Sequence, residues 1–308
     1  MKNFLILFLL IGFSLNGSAQ SVPDYTQTEV IYGRKNGMAL TMFVTTPKAK
    51  NNHRGILYLA SGGYYSDAKW VPETTERSAE FLKRGFTVFI VTHSSAPVYT
   101  SVEIIPDIQR AVQFVRYNAK KYDIEADKIG ITGTSSGGNL SLLASTTEAK
   151  VTGSDDPVAK VSSKANAVAC FYPPTDFLNY RRANNLALTD SLTQKMMREG
   201  WIASSFMFKE VNPKDNTFSF ITNKEKLIEE FRKLSPIYLV DKTTAPTLLY
   251  HGDRDVLVPM YQSEIYIQKL KSLNVPCQLL VKKGEEHGWK NQENEMKFFA
   301  DWFDTYLK

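Results

Sequence analysis

Short runs of uninterrupted apolar residues alternate along this chain with stretches whose apolar positions recur every three or four residues. The runs are GILYL at Gly55 to Leu59, TVFIVT at Thr87 to Thr92, AVACFY at Ala167 to Tyr172, Thr247 to Tyr250 and Gln278 to Val281. In GILYL and TVFIVT this continuity marks strands covered on both faces. Between them, Glu73 to Arg84 (stopped by Gly85), Asp107 to Tyr122 and Asn291 to Tyr306 carry helical patterns. Glu29 to Pro47 differs, because two β-rich runs flank Asn36-Gly37, a strong hairpin signal. Lys150 to Lys164 is polar and reads as a surface loop. Strands alternating with helices predict an α/β domain with a mostly parallel central sheet flanked by helices.

One stretch breaks the alternation. Leu178 to about Leu239 separates two strand patterns and is far longer than an ordinary connection. Ser191 to Phe206 and Lys224 to Lys233 look helical within it, and Phe218-Ser219-Phe220 is rich in aromatics. Such an insertion either buries a small core of its own or caps a site. The cap reading makes Trp201, Phe206, Phe218 and Phe220 candidate pocket residues, in an insertion at about 178–234.

Composition narrows the class. The 308 residues are 43% hydrophobic and 22% charged, with a net charge of +5 from scattered Lys and Arg. Nothing there points to nucleic acid or a membrane surface. Residues 1–19 stand apart: Lys2, the apolar stretch Phe4 to Leu15, then the small residues Gly17, Ser18 and Ala19. This is the form of a cleaved signal peptide, too short in its apolar part to span a bilayer. The expectation is a mature chain from Gln20, periplasmic or secreted, with no stable membrane anchor. Cys170 and Cys277 sit in apolar strand-like contexts and read as free, buried thiols. No Cys/His cluster suggests a metal.

The chemistry centres on KIGITGTSSGGNL at Lys128 to Leu140. A G-x-S-x-G motif sits between a strand pattern and a helix pattern, where a sharp turn lifts one serine hydroxyl above the sheet edge. Ser135 is the candidate nucleophile, and the following helix start makes the N–H of Ser136 a candidate oxyanion donor. A serine needs a base, and the base needs an orienting acid. Of four histidines, His53 lies in a polar loop, His93 ends a strand, and His251 follows the strand TLLY, where it reads as packing or bonding backbone. His287, in GEEHGW, is the one late enough for the order Ser, acid, His. Asp255 in HGDRDVLVP is the preferred acid; Asp253 reads as a turn residue, and Asp176 after Pro173-Pro174 is a third candidate.

GTSSGG, HGDRDVLVP and EEHGW together resemble the α/β-hydrolase fold, in the esterase/lipase branch that includes bacterial feruloyl-esterase-like and acetylxylan-esterase-like proteins. YDIEADK before the motif strand, YPPTDF at Tyr172 to Phe177 and Ser235-Pro236-Ile237 extend the likeness over nearly the whole mature chain outside the insertion. The departure is at the oxyanion loop. That branch usually carries His-Gly-Gly-Gly, whereas this chain has Ala60-Ser61-Gly62-Gly63-Tyr64. Backbone amides form such a hole, so Gly63 and Tyr64 remain candidates, with Tyr65 as a pocket candidate. The resemblance implies a serine hydrolase for carboxylic esters, small or polysaccharide-borne, that needs no metal or organic cofactor. A small peptidase or amidase of the prolyl-oligopeptidase type shares the same triad, and a non-catalytic binding protein could share the scaffold.

Overall fold

The computed structural model describes residues 22–149, 155–181 and 202–308. The N-terminal leader and Trp201 therefore lie outside the described residues, as does most of the helix expected over Ser191 to Phe206. Eight strands form one sheet: β1 (Tyr25–Lys35), β2 (Met38–Pro47), β3 (Gly55–Leu59), β4 (Thr87–Val91), β5 (Ile129–Thr134), β6 (Ala167–Phe171), β9 (Thr247–Gly252) and β10 (Cys277–Lys282). Their order is β1-β2-β4-β3-β5-β6-β9-β10. The pairs β1–β2 and β2–β4 are antiparallel and all the others parallel. Asn36 and Gly37 both take positive φ, 46° and 84°, in the turn joining β1 to β2, as a two-residue hairpin loop requires.

Each of β3, β4 and β6 is buried at every residue, because helices cover both faces. On one face pack α3 (Ser101–Tyr117), α4 (Ser136–Thr146) and α6 (Tyr261–Ser272), with Ile104, Ile108, Leu140, Tyr266 and Leu270 in the core. On the other pack α1 (Val71–Arg77), α2 (Ala79–Lys83) and α7 (Met296–Tyr306), through Phe81, Leu82, Phe299 and Phe303. Successive strand residues alternate between these cores: Ile56 and Tyr58 belong to the second, Leu57 and Leu59 to the first.

Several boundaries differ from the sequence expectation. The helix expected over Glu73 to Arg84 is two helices meeting at Ser78, whose hydroxyl bonds the Thr74 carbonyl at 2.7 Å. Helix α3 begins six residues before Asp107 and carries Pro106 inside it. Its start is set by Glu103, whose carboxylate accepts the Thr100 N–H at 2.8 Å, a capping box that outweighs the proline. The last helix begins at Met296, after a turn at Gln292–Asn294. In the insertion, α5 (Lys224–Lys233) stands where expected, and a two-stranded sheet, β7 (Lys209–Val211) with β8 (Phe218–Phe220), was not anticipated. Both cysteines are free; Cys170 is buried, but Cys277 is only half-buried because β10 is an edge strand.

Candidate active site

The site gathers at the carboxyl ends of β3, β5, β6, β9 and β10, the edge at which open parallel sheets bind their ligands. Ser135 links β5 to α4 with φ 54° and ψ −117°, a backbone conformation costly for a residue with a side chain. It is held by its neighbours: the Ser135 N–H donates to the Phe171 carbonyl, and its own carbonyl accepts the Asn139 N–H, both at 3.0 Å. The turn is so tight that a Cβ on Gly133 would lie 2.6 Å from the Gly137 carbonyl carbon. Glycine at that position is a steric requirement.

His287 stands on the loop between β10 and α7, and Asp255 on the loop after β9. Ser135 Oγ is 3.0 Å from His287 Nε2, and His287 Nδ1 is 2.7 Å from Asp255 Oδ2. A carboxylate only accepts, so Nδ1 carries the proton and Nε2 of the neutral ring faces the serine hydroxyl as an acceptor. The other oxygen, Oδ1, accepts the N–H groups of Leu257 (3.0 Å) and Val258 (2.8 Å). His251 Nε2 lies 3.3 Å from Oδ2 and 2.8 Å from the Val258 carbonyl. That carbonyl fixes His251 with its proton on Nε2, so Nδ1 accepts from Ser263 Oγ at 2.7 Å. Burial pushes the Asp255 carboxyl up, but the bonds from His251, His287 and Val258 prevail and hold it at about 2. The two loops are pressed together: a Cβ on Gly252 would sit 2.4 Å from the Glu285 carbonyl oxygen.

The rival acids are engaged elsewhere. Asp253 Oδ1 accepts the Gly284 N–H at 2.7 Å. Asp176 is buried, accepting the N–H groups of Leu178 and Asn179 and the hydroxyl of Tyr238. His53 pairs with Asp123 at the surface, and buried His93 bonds the Ser94 carbonyl.

Facing Ser135, Gly63 and Tyr64 follow β3 with φ 56° and 66°. The bridge closing this loop uses the N–H and carbonyl of Gly62 and Tyr65, which leaves the N–H groups of Gly63 and Tyr64 unbonded among the described residues. Ser136 N–H, at the start of α4, is likewise unbonded. Ser61 Oγ and Ser136 Oγ are 3.1 Å apart and tie the two arms together. Tyr64's phenol donates to Asn139 Oδ1 at 3.1 Å.

A cavity of about 410 Å³ opens over these groups, lined by Ser135, Ser136, His287, Gly62, Gly63 and Tyr64. Its remaining walls are largely apolar: Tyr172, Pro174, Phe177, Tyr180, Ile202, Phe206, Leu257 and Val258, with Arg77 and Thr134 at one side. Of the expected pocket aromatics, Phe206 is in the wall, and Ile202 joins it from the same insertion. Phe218 and Phe220 are not. Spaced two apart on β8, they share one face of the small sheet and are 61% and 51% exposed. Tyr65 also turns away, its hydroxyl 2.7 Å from Ser204 Oγ. The insertion reaches the oxyanion loop as well, since buried Ser205 donates to the Gly63 carbonyl at 2.9 Å.

Sequence reading missed Tyr172, Phe177, Tyr180 and Arg77. Tyr172 directly follows β6 at the ligand-binding edge, a position that is itself a signal. Its ring centre is 4.5 Å from that of His287, and Gln292 Nε2 donates to its hydroxyl at 2.9 Å. Among the described residues no cluster of side chains could hold a metal ion, and no helix is long and apolar enough to cross a membrane.

A family model described as BD-FAE matches residues 42–270, most of the chain and all of the described site except His287. The chain belongs to the BD-FAE family. Among solved structures, a truncated carbohydrate esterase from gut microbiota superposes on this BD-FAE chain with a TM-score of 0.72 at 24% identity, covering 93% of this chain and 99% of that one. This likeness shows the α/β-hydrolase fold. Esterase LipQ of Mycobacterium tuberculosis is 23% identical over 244 residues, 78% of this chain and 50% of that protein. The uncharacterized peptidase YtmA of Bacillus subtilis is 24% identical over 270 residues, 84% of this chain and 85% of that one. The chain matches only 34–50% of the length of the first curated relatives.

Proposed function

We propose that this BD-FAE chain is a serine hydrolase of carboxylic esters. The observation that carries the reading is the hydrogen-bonded line Ser135–His287–Asp255 at the floor of a mostly apolar cavity with unbonded amides beside it. Ser135 Oγ attacks the acyl carbon as its proton passes to His287 Nε2. The carbonyl oxygen gains negative charge, and the N–H groups of Ser136 and of Gly63 or Tyr64 stabilise it. Collapse expels the alcohol, which takes the proton from His287. Water then gives a proton to His287 and attacks the acyl carbon, the bond to Ser135 Oγ breaks to release the acid, and Ser135 takes the proton back. Asp255 holds His287 in the required tautomer and stabilises the imidazolium. Every step uses groups of the chain, so no cofactor is invoked.

The insertion acts in this reading as a cap, since Ile202 and Phe206 enclose the acyl side. Export of the chain, with cleavage after Ala19, rests on the leader-like residues 1–19. Substrates are expected among small or polysaccharide-borne esters, in line with the carbohydrate esterase whose fold it shares. The test is a panel of acetyl esters, feruloyl esters and aminoacyl amides, with Ser135→Ala as control. Ester turnover that vanishes in the variant supports the reading. Cleavage of amides in preference to esters would replace it with a peptidase.

A further inference from the structure

The loop that brings His287 to Ser135 is folded around one side chain, that of Tyr172. This residue directly follows β6 and takes φ 35°, a conformation unfavourable for any bulky residue and most often met at functional sites. It is kept there because its N–H donates to the Tyr250 carbonyl at 2.8 Å and its side chain is buried. The imidazole of His287 lies 4.5 Å away between ring centres, and the Trp289 indole packs edge-to-face at 5.5 Å. A Cβ on Gly288 would sit 3.8 Å from the Tyr172 hydroxyl. Gln292 Nε2 donates to that hydroxyl at 2.9 Å, and Gln292 Oε1 faces Arg77 Nη1 at 3.4 Å. A guanidinium only donates, so Arg77 sets which end of the amide reaches the phenol. Gln292 is itself buried, which makes its bond costly to lose.

We propose that Tyr172 is a positioning residue for the general base: its ring steadies the His287 imidazole, and its hydroxyl, through Gln292, anchors the loop that carries that imidazole. The inference rests on the esterase reading and adds a residue to its machinery. The bonds from Nδ1 to Asp255 and from Nε2 to Ser135 lie in the plane of the imidazole and hold it by its edge. They do not stop it tilting out of that plane, whereas a ring centred 4.5 Å away does. The bond at Gln292 holds the far end of the same loop, five residues on. Proton transfer from Ser135 depends on such placement, because a displacement of about 1 Å can cost on the order of 100-fold in rate. Tyr172 also lines the acyl cavity, but a residue that is only a wall acts differently. Its loss raises KM and weighs on bulky acyl groups. Loss of positioning falls on kcat whatever the acyl group, because every ester uses the same base.

The experiment measures kcat and KM of the full chain on p-nitrophenyl acetate and p-nitrophenyl butyrate, and records the far-downfield proton NMR signal of His287 Nδ1–H in its bond to Asp255. Tyr172→Leu should lower kcat roughly 10- to 100-fold on both esters with KM little changed. In the same variant the Nδ1–H signal should broaden away through exchange with water. Tyr172→Phe keeps the ring and should hold the signal, with kcat within about fivefold of wild type. Gln292→Met removes the same bond from the other side and should match Tyr172→Phe, and the double variant should lose no more than either alone. A rise in KM confined to the butyrate, with kcat and the signal unchanged, makes Tyr172 a wall and overturns the positioning role. So does a Tyr172→Leu protein in which kcat, KM and signal are all as in wild type. Should that variant not fold, unchanged kcat and signal in both Tyr172→Phe and Gln292→Met overturn the role equally, and in each of these cases an active wild type leaves the hydrolase reading intact. If instead wild type cleaves neither ester but the signal is lost in Tyr172→Leu and kept in Tyr172→Phe, the hydrolase reading fails and the positioning stands.

Discussion

Replacing Asp255 with Asn exposes how tightly this carboxylate is specified. In the native site three groups donate to Asp255, Leu257 and Val258 N–H to Oδ1 and His287 Nδ1–H to Oδ2, and His251 Nε2 lies 3.3 Å from Oδ2. An amide offers one acceptor and one donor end. With its oxygen toward the backbone, the NH₂ confronts His287 Nδ1–H, and the ring has to shift its proton to Nε2. That nitrogen then points a hydrogen at Ser135 and cannot act as base. The reversed orientation keeps the His287 bond but sets the NH₂ against two buried N–H groups, at roughly 1–3 kcal/mol. The first orientation is therefore favoured, and kcat on p-nitrophenyl acetate should fall by about 10⁴. Stability should also lose the part of its acid dependence that Asp255 supplies. A buried carboxylate held at about 2, well below the ordinary range of a free aspartate, contributes about 2 kcal/mol at neutral pH. Because the folded pKa is depressed, that contribution is complete above about pH 4 and fades as pH falls toward 2. Thermal melts of wild type and Asp255→Asn should differ at pH 7 and converge at low pH. An Asn variant that keeps more than a tenth of wild-type kcat would refute the tautomer argument.

Three further outcomes follow from the same geometry. Asp253→Asn, which alters only a bond to the Gly284 N–H, should leave kcat within a few-fold of wild type; sensitivity equal to that of Asp255→Asn would move the acid. Ser205→Ala removes the bond to the Gly63 carbonyl, and a loss near 1 kcal/mol should appear as about a fivefold drop in kcat with KM little changed. An unchanged kcat would show that the insertion does not position the loop. Phe206→Ala should lower kcat/KM for bulky acyl esters roughly 10- to 100-fold relative to acetyl esters, whereas exposed Phe218→Ala should shift neither; equal effects of the two would place both aromatics outside substrate contact.

Ser135, His287 and Asp255 were readable because each lies just past a strand pattern, in a turn whose residues have to be small or polar. Gly133 shows the local logic: its steric contact is with Gly137, four residues away in the same motif. Pocket walls obey a different logic. Phe206 and Phe218 look alike in sequence, but one packs 5.7 Å from both Tyr64 and Phe177 while the other faces solvent from a three-residue strand. Which side of β8 faces water depends on its pairing with β7, and no periodicity can be read from so short a strand. Arg77 was hidden for another reason. It sits on an ordinary amphipathic helix with a Glu four residues earlier, a pattern that usually means a solvated ion pair, and only the fold brings it beside Thr134. Helix α3 starts earlier than its apolar spacing shows, at a Thr100–Glu103 capping box that local sequence does contain.

Whether Ser135 is a nucleophile activated by His287 can be read with a fluorophosphonate, which reacts with an activated serine. One phosphonyl group per chain is expected, located on Ser135 by peptide mass mapping, with ester hydrolysis lost in step with labelling. His287→Ala should label far more slowly, on the order of 10³-fold or more, because the hydroxyl loses its base. Ester hydrolysis that survives complete labelling, or an adduct on any other residue that accounts for the lost activity, would contradict it.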